Sequence, residues 1–330
     1  MIKWHIKYAL AAILGIFPYR HFIHHKVQLV LGGLKLDEKE MLSRAVELYT
    51  LAFKNKQSLE GNTMLEIGTG WFPFMPIVAY LYGANKIITI DINPWLKDET
   101  VRETIKCILD NSEYLKNSIA SDYSEFDNKL SKLRIVYEQN NDYAKNFEEL
   151  NINYIHSYDV CDLILDEADK IDLVISSNVL EHIDRVKLDK IHKHLFDISK
   201  SNAIAVHRFN PGDHYSHLSG SSVSFLTISE ILWRIYRQGG IAYHNRLRTY
   251  EHAEVIKQAK WNIQLWVDAI DNKAVQNIES GELKLNSKYK NMTTNEACAF
   301  YSWMVLGKDI GLQVSKPKIC LLYTSDAADE

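Results

Sequence analysis

The sequence predicts an α/β fold: a mostly parallel sheet with helices on both faces. Three observations point there. The apolar run Thr63–Ile67 enters a glycine turn, Gly68-Thr69-Gly70, and Asp91, 21 residues beyond Gly70, ends a second apolar run over 86–90. Further apolar runs recur between helix-prone stretches. Two late runs, 263–270 and 297–306, are joined by the polar connector 271–296, which fits an antiparallel pair closing the sheet.

The elements follow in chain order. Ala9–Phe17 is apolar and follows Lys3 and Lys7, but it is too short to span a bilayer. Pro18-Tyr19-Arg20 follows it, with no small-residue cleavage site, so the run reads as a helix covering the domain. Peripheral membrane contact through this helix is the alternative, since Lys3, Lys7, Arg20 and Lys26 flank it. Asp37 and Glu40 stand at N-cap and N3 spacing before a stripe of Met41, Ala45, Leu48 and Ala52, which predicts a helix over 38–54. After the strand at 63–67 and the turn at 68–72 comes a helix at 75–82, closed by Gly83. Residues 97–150 contain neither Gly nor Pro and read as an inserted helical segment. Strands are expected at 152–156, 172–177 and 203–207, with a helix carrying Leu188, Ile191, Leu195 and Ile198 on one face. A loop, 208–222, leads into helical stretches ending near 260.

This divides the chain into an N-terminal helical cap (1–58), a main domain (59–309), a short segment of unassigned role (310–319) and a tail (320–330). Within the main domain, 97–150 is the helical insertion and 208–260 the substrate-side loop and helices. Cys320–Glu330 resembles a translated sequencing adapter and is expected to be non-native, leaving the true C-terminus open. Its Asp326, Asp329 and Glu330 account for three of the four net negative charges.

Near-neutral charge gives no basic footprint, so no nucleic-acid partner is expected. Cys107, Cys161 and Cys298 have no C-x-x-C spacing, which argues against disulfides or a zinc site and fits a reducing, cytoplasmic setting. Strand, glycine turn, helix and strand ending in an acid form a nucleotide-binding unit. The glycines admit close approach of a ligand, and the acid can accept both ribose hydroxyls.

Four segments make a more specific case: Leu65-Glu66-Ile67-Gly68-Thr69-Gly70, Ile90-Asp91-Ile92-Asn93, Tyr158-Asp159-Val160 and Asp172-Leu173-Val174-Ile175-Ser176-Ser177-Asn178-Val179-Leu180-Glu181-His182-Ile183. Together, over roughly 60–306, they resemble class I S-adenosylmethionine-dependent methyltransferases. The resemblance implies a Rossmann-like, seven-stranded sheet with an antiparallel terminal pair, and S-adenosyl-L-methionine as cofactor. It implies that Glu66 orients the glycine loop or reaches the cofactor's amino group, that Gly68, Thr69 and Gly70 line it, and that Asp91 and Ile92 hold the ribose side. Asp159 and the Val160 amide would take the adenine edge, and Asn178 would lie toward the sulfonium. Phe72 stands where the family's third glycine is usual, so the turn after Gly70 must differ, with Trp71 and Phe72 walling the methionine end. Gly68–Pro73, Asp213–His217 and Tyr243–Arg248 also resemble bacterial methyltransferases associated with polysaccharide biosynthesis.

Methyl transfer to a hydroxyl needs a proton acceptor, for which histidine suits neutral pH. His214 is the first candidate base, then His182 and His207. Asp213, His217, Arg246 and Arg248 are candidate substrate contacts, the arginines for an anionic sugar. Asp213, His214 and His217 also have the make-up of a 2-His-1-carboxylate set, but the base reading ranks above it and no metal is expected. The expected acceptor is a small molecule or carbohydrate. The rival readings are a nicotinamide-dependent oxidoreductase and a non-catalytic cofactor-binding subunit.

Overall fold

The structure, a computed structural model, describes residues 35–53, 59–119, 123–214, 220–237, 243–309 and 314–320, together with Ala9 and Ser216. The apolar run 9–17 therefore lies outside the described residues apart from Ala9. Among the described residues, no helix is long and apolar enough to cross a membrane.

The parallel core is made of β1 (Thr63–Ile67), β2 (Lys86–Asp91), β3 (Ile152–His156), β4 (Ile171–Ser177) and β5 (Ser199–Phe209). To it are added β6 (Asn262–Ile270), β7 (Ala299–Gly307) and β8 (Lys318–Cys320), in the order β3-β2-β1-β4-β5-β7-β6-β8. β7 runs antiparallel to both β5 and β6. The mostly parallel α/β sheet with an antiparallel terminal pair is thus present. Among the described residues it has eight strands rather than the expected seven, because Lys318–Cys320 adds a short parallel edge strand to β6.

Strands buried on both faces need continuous apolar runs, and β1 is buried along its whole length. The two faces are covered by different helices. On one lie α1 (Glu38–Phe53), α2 (Phe74–Leu81), α3 (Asp98–Asp110), α4 (Ser112–Ile119), α5 (Phe126–Gln139) and α6 (Tyr143–Glu149). α1 buries Leu42, Ala45, Leu48, Tyr49 and Ala52, and its Tyr49 hydroxyl donates to the Met75 carbonyl of α2. The expected insertion, 97–150, is the β2–β3 crossover itself, elaborated into α3–α6. On the other face lie α7 (Arg185–Ile198), with Leu188, Ile191 and Leu195 inward, and α9 (Thr249–Gln258); α8 (Glu230–Arg237) precedes α9 in the chain.

A smaller apolar cluster of Val223, Phe225, Leu226, Ile228 and Trp233 packs 223–233 against Ile270, Ala274, Tyr289 and Ala299. It fixes the segment after β5 to the end of the antiparallel pair. The connector 271–296, expected to lack a strong helix, contains α10 (Asn272–Glu279), started by Asp271 accepting from the Ala274 amide, and the short α11 (Thr294–Ala297).

Candidate active site

The parallel strands β1–β4 end along one edge of the sheet, and β1 lies between β2 and β4, where the strand order reverses. Such a switch point opens a crevice outside the strand ends. β1 releases into Gly68 and Gly70, both with left-handed φ (+81° and +67°). They differ in what surrounds them. A Cβ on Gly68 would stand 2.3 Å from Val179 Cγ2, whereas one on Gly70 would meet nothing within 4 Å. Gly68 is needed for packing of the chain on itself, and Gly70 borders open space.

Asp91, at the end of β2, ties this turn down. One carboxylate oxygen accepts the Gly70 amide at 3.0 Å and the other the Asn93 amide at 2.9 Å. Burial raises its pKa, opposed by these two hydrogen bonds. Its neighbour Ile92 is 73% exposed, an apolar side chain facing solvent beside the acid. Glu66, on β1, is buried and accepts from the Thr89 hydroxyl, which in turn bonds the Thr69 hydroxyl of the turn. Desolvation pushes the Glu66 carboxyl up to about 8. A buried acid, two hydroxyls and a carboxylate thus hold the glycine turn from below. Trp71 stacks on Trp95 with ring centroids 4.3 Å apart, so the turn leans toward the loop after β2.

Asp159 and Val160 follow β3. One Asp159 oxygen accepts the Cys161 amide, the other pairs with Lys187, and Val160 is buried. Asn178, just past β4, is a non-glycine residue at φ +54°. Its amide donates to the Arg208 carbonyl at 2.8 Å and its side-chain oxygen accepts from the Arg208 guanidinium at 2.7 Å. A left-handed asparagine braced by a buried arginine stores modest strain of a kind found at functional sites.

Next to Asn178 is a corner that the motifs alone did not reveal. Glu181 is fully buried, and one of its oxygens accepts the Asn210 amide at 3.1 Å. The His182 and His214 rings lie 5.0 Å apart, and His244 lies 4.3 Å from His214 and 5.9 Å from His182. Asn245 holds the turn through its side-chain amide, which donates to the Leu180 and Ile183 carbonyls at 2.8 Å each. Solvent reaches His214, yet surrounding protein holds its imidazole down at about 3, by desolvation and then by His182.

Several expected site residues stand elsewhere. His207 is fully buried on the α7 face of β5, its Nδ1 2.8 Å from the Ser176 hydroxyl, and desolvation holds it well below the usual histidine range. Strand alternation turns it away from the crevice, so it is not a base there. Arg246 and Arg248 are also buried. Arg246 donates to the Phe225 and Ile228 carbonyls and pairs with Glu230, while Arg248 donates to the Pro211 and Ala299 carbonyls. They brace the 208–230 segment instead of meeting an anionic substrate. Asp213 is buried, with its main chain bonded to Ser222 and Ser216, and His217 lies outside the described residues. Glu181, His244, Asn245 and Arg208, which the structure brings to this corner, were not among the expected site residues. The usable signal was Glu181 beside His182, and His244-Asn245 within a histidine- and arginine-bearing stretch.

No protein-family model and no curated protein matches the chain. Among solved structures it is similar to phosphoethanolamine N-methyltransferase 2 from Haemonchus contortus, at 13% identity and a TM-score of 0.42, covering 82% of this chain and 53% of that one. The chain thus spans about half the length of the nematode protein. It is also similar to a TehB-like SAM-dependent methyltransferase from Corynebacterium glutamicum (11% identity, TM-score 0.38, 88% and 97% covered). A third is the N-methyltransferase NodS from Bradyrhizobium japonicum (11%, 0.38, 82% and 98%). The fold described above rests on the chain's own strand order and register.

Proposed function

We propose that this chain is an S-adenosylmethionine-dependent methyltransferase acting on a hydroxyl of a small molecule or carbohydrate. The observation that carries this reading is the Gly70 turn, open to solvent where a Cβ would sit and bonded to the Asp91 carboxylate at the switch point. The residues fit the cofactor. Each Asp91 oxygen accepts one main-chain N–H and keeps a lone pair, so both ribose hydroxyls can be accepted without breaking the turn. Ile92 offers an exposed apolar face to a purine, and Asp159 and the Val160 amide stand along the same strand-end row.

The bound sulfonium supplies a methyl group already activated for in-line displacement. What remains for the protein is largely positioning. Gly68 and Gly70 shape the turn, Glu66, Thr69 and Thr89 hold it, and Asn178 fixes the end of β4 toward the acceptor side. The acceptor hydroxyl is assigned to the corner of Glu181, His182 and His214. His214, held at about 3, is too weak a proton acceptor at neutral pH to act alone.

The test is transfer of a labelled methyl group from the cofactor to a panel of hydroxyl compounds led by sugars. Incorporation that disappears in Asp91→Ala is expected. Absence of label in every acceptor, together with turnover of a nicotinamide cofactor, would contradict the reading.

A further inference from the structure

The corner between β4 and the segment after β5 holds a group that methyl transfer leaves unexplained. Glu181 has no solvent exposure, and its Oε2 has no hydrogen-bond partner among the described residues. A bare carboxylate oxygen away from water is costly, and such an atom in a well-packed protein calls for a cause. One nitrogen each from His182 and His214 and one oxygen from Glu181 lie within 4.8 Å of one another.

The His182 ring is already set for ligation. Its Nδ1 lies 2.8 Å from the Tyr243 carbonyl oxygen, which can only accept, so Nδ1 is the donor and Nε2 is the nitrogen left to face a ligand. Metal-bound histidines are oriented in the same way by a carbonyl behind the ring. His244 is not a further ligand. Its Nδ1 faces the Asn245 carbonyl and its Nε2 the Asn210 carbonyl, so both nitrogens are turned to main-chain oxygens. It walls the corner and keeps the other two rings in place.

We propose that Glu181, His182 and His214 form a binding site for one divalent transition-metal ion, with its remaining positions open to oxygens of the acceptor. Two imidazoles and one carboxylate select manganese, cobalt, zinc or ferrous ions over magnesium and calcium, which prefer all-oxygen shells. Ligands of such an ion stand roughly 3–4 Å apart, from bond lengths of about 2.0–2.2 Å. The observed spacing is slightly wider, and rotation of the accessible His182 and His214 rings closes it. The site differs from the Asp213–His214–His217 set suggested by sequence spacing and shares only His214 with it. Ion binding stands independently of the methyl-transfer reading, while the role toward the acceptor rests on that reading.

The probe is Co2+, titrated into untagged full-length protein stripped with chelator and followed by visible absorption. One saturable equivalent, displaced by Zn2+, is expected. Glu181→Gln, which keeps side-chain shape, and separately His182→Ala and His214→Ala should each weaken binding by about 100-fold or more, beyond what outer-shell changes cost. His194→Gln, on α7, should leave it unchanged. A wild-type protein that takes up no Co2+, or uptake that survives both histidine variants, would overturn the proposal. The accessible histidine variants keep the test decisive should Glu181→Gln fail to fold, which circular dichroism reports. Cofactor binding measured on the same samples separates the two readings: an ion without cofactor binding sinks only methyl transfer, and cofactor binding without an ion sinks only the metal site.

Discussion

Two groups of histidines, one at the strand ends and one beneath β5, show similar ring packing that leads to different chemistry. His182, His214 and His244 cluster at the strand ends, in contact with Tyr243 and Asn245 main-chain carbonyls and beside the Glu181 carboxylate. His192, His207 and His252 are buried beneath β5, with His192 and His207 rings 5.3 Å apart. Among the described residues, His192 Nδ1, His207 Nε2 and both His252 nitrogens lack hydrogen-bond partners. A histidine becomes a site when a neighbour fixes its tautomer and leaves a lone pair facing space. Enclosed on all sides, as His192, His207 and His252 are, it is a polar ring stored neutral in the core.

The largest expected effect is the pH dependence that the group buried beneath β5 brings. Desolvation holds His192 at about 4 and His252 at about 3, with His207 well below the usual range. Asp189 works against this at His192, while Arg248 and Arg185 add to it at His252. The folded state therefore binds fewer protons than the unfolded chain below the ordinary pKa of about 6.5, and stability falls as pH drops through that value. His192 and His252 each contribute roughly 3 kcal/mol or more to the loss, and His207 adds in the same direction. Chemical denaturation at pH 7 and pH 5 should show it, and His252→Phe should flatten the slope. An unchanged slope would mean that the buried His252 ring does not carry this dependence.

Glu66 works in the opposite direction. Its carboxyl is raised to about 8, so the folded state holds an extra proton between the unfolded value and 8, and stability falls as pH rises across that range. The contribution is roughly 3–5 kcal/mol. Glu66→Gln should abolish the decline above neutral pH while sparing the acid limb. The two opposing slopes place maximum stability near about pH 6.5.

Asn178→Ala comes next. It removes the acceptor from buried Arg208 and places an alanine at φ +54°, at a combined cost of roughly 2–3 kcal/mol in denaturant unfolding. His182→Ala should have the smallest effect, under about 1 kcal/mol, because the side chain is exposed. A larger loss would mean that the edge cluster is structural like its buried counterpart.

Much of this architecture is legible in the sequence because buried parallel strands must be apolar throughout. That made β1, β2 and β4 readable to within a residue, and with them the Gly70–Asp91 pair. β8, three residues long, has too little pattern to announce itself. α10 hides in a polar connector because only Ala274 of its eight residues is buried. Arg246 and Arg248 misled for a physical reason. Arginine normally faces water, and here carbonyls of Phe225, Ile228, Pro211 and Ala299, distant in sequence, draw both inward. His207 was misplaced by one strand face, since its burial depends on which side α7 covers. Glu181 could not be recognised as a buried acid, because the amide that receives it belongs to Asn210, 29 residues away.

The most direct test of the central claim is calorimetric titration of the full chain with S-adenosylmethionine and, in parallel, with NAD, using Asp91→Ala as control. Saturable binding of the sulfonium cofactor alone, weakened about 100-fold in the variant by loss of two charge-assisted hydrogen bonds, is predicted. Binding of NAD in its place, or cofactor binding indifferent to Asp91, would contradict it.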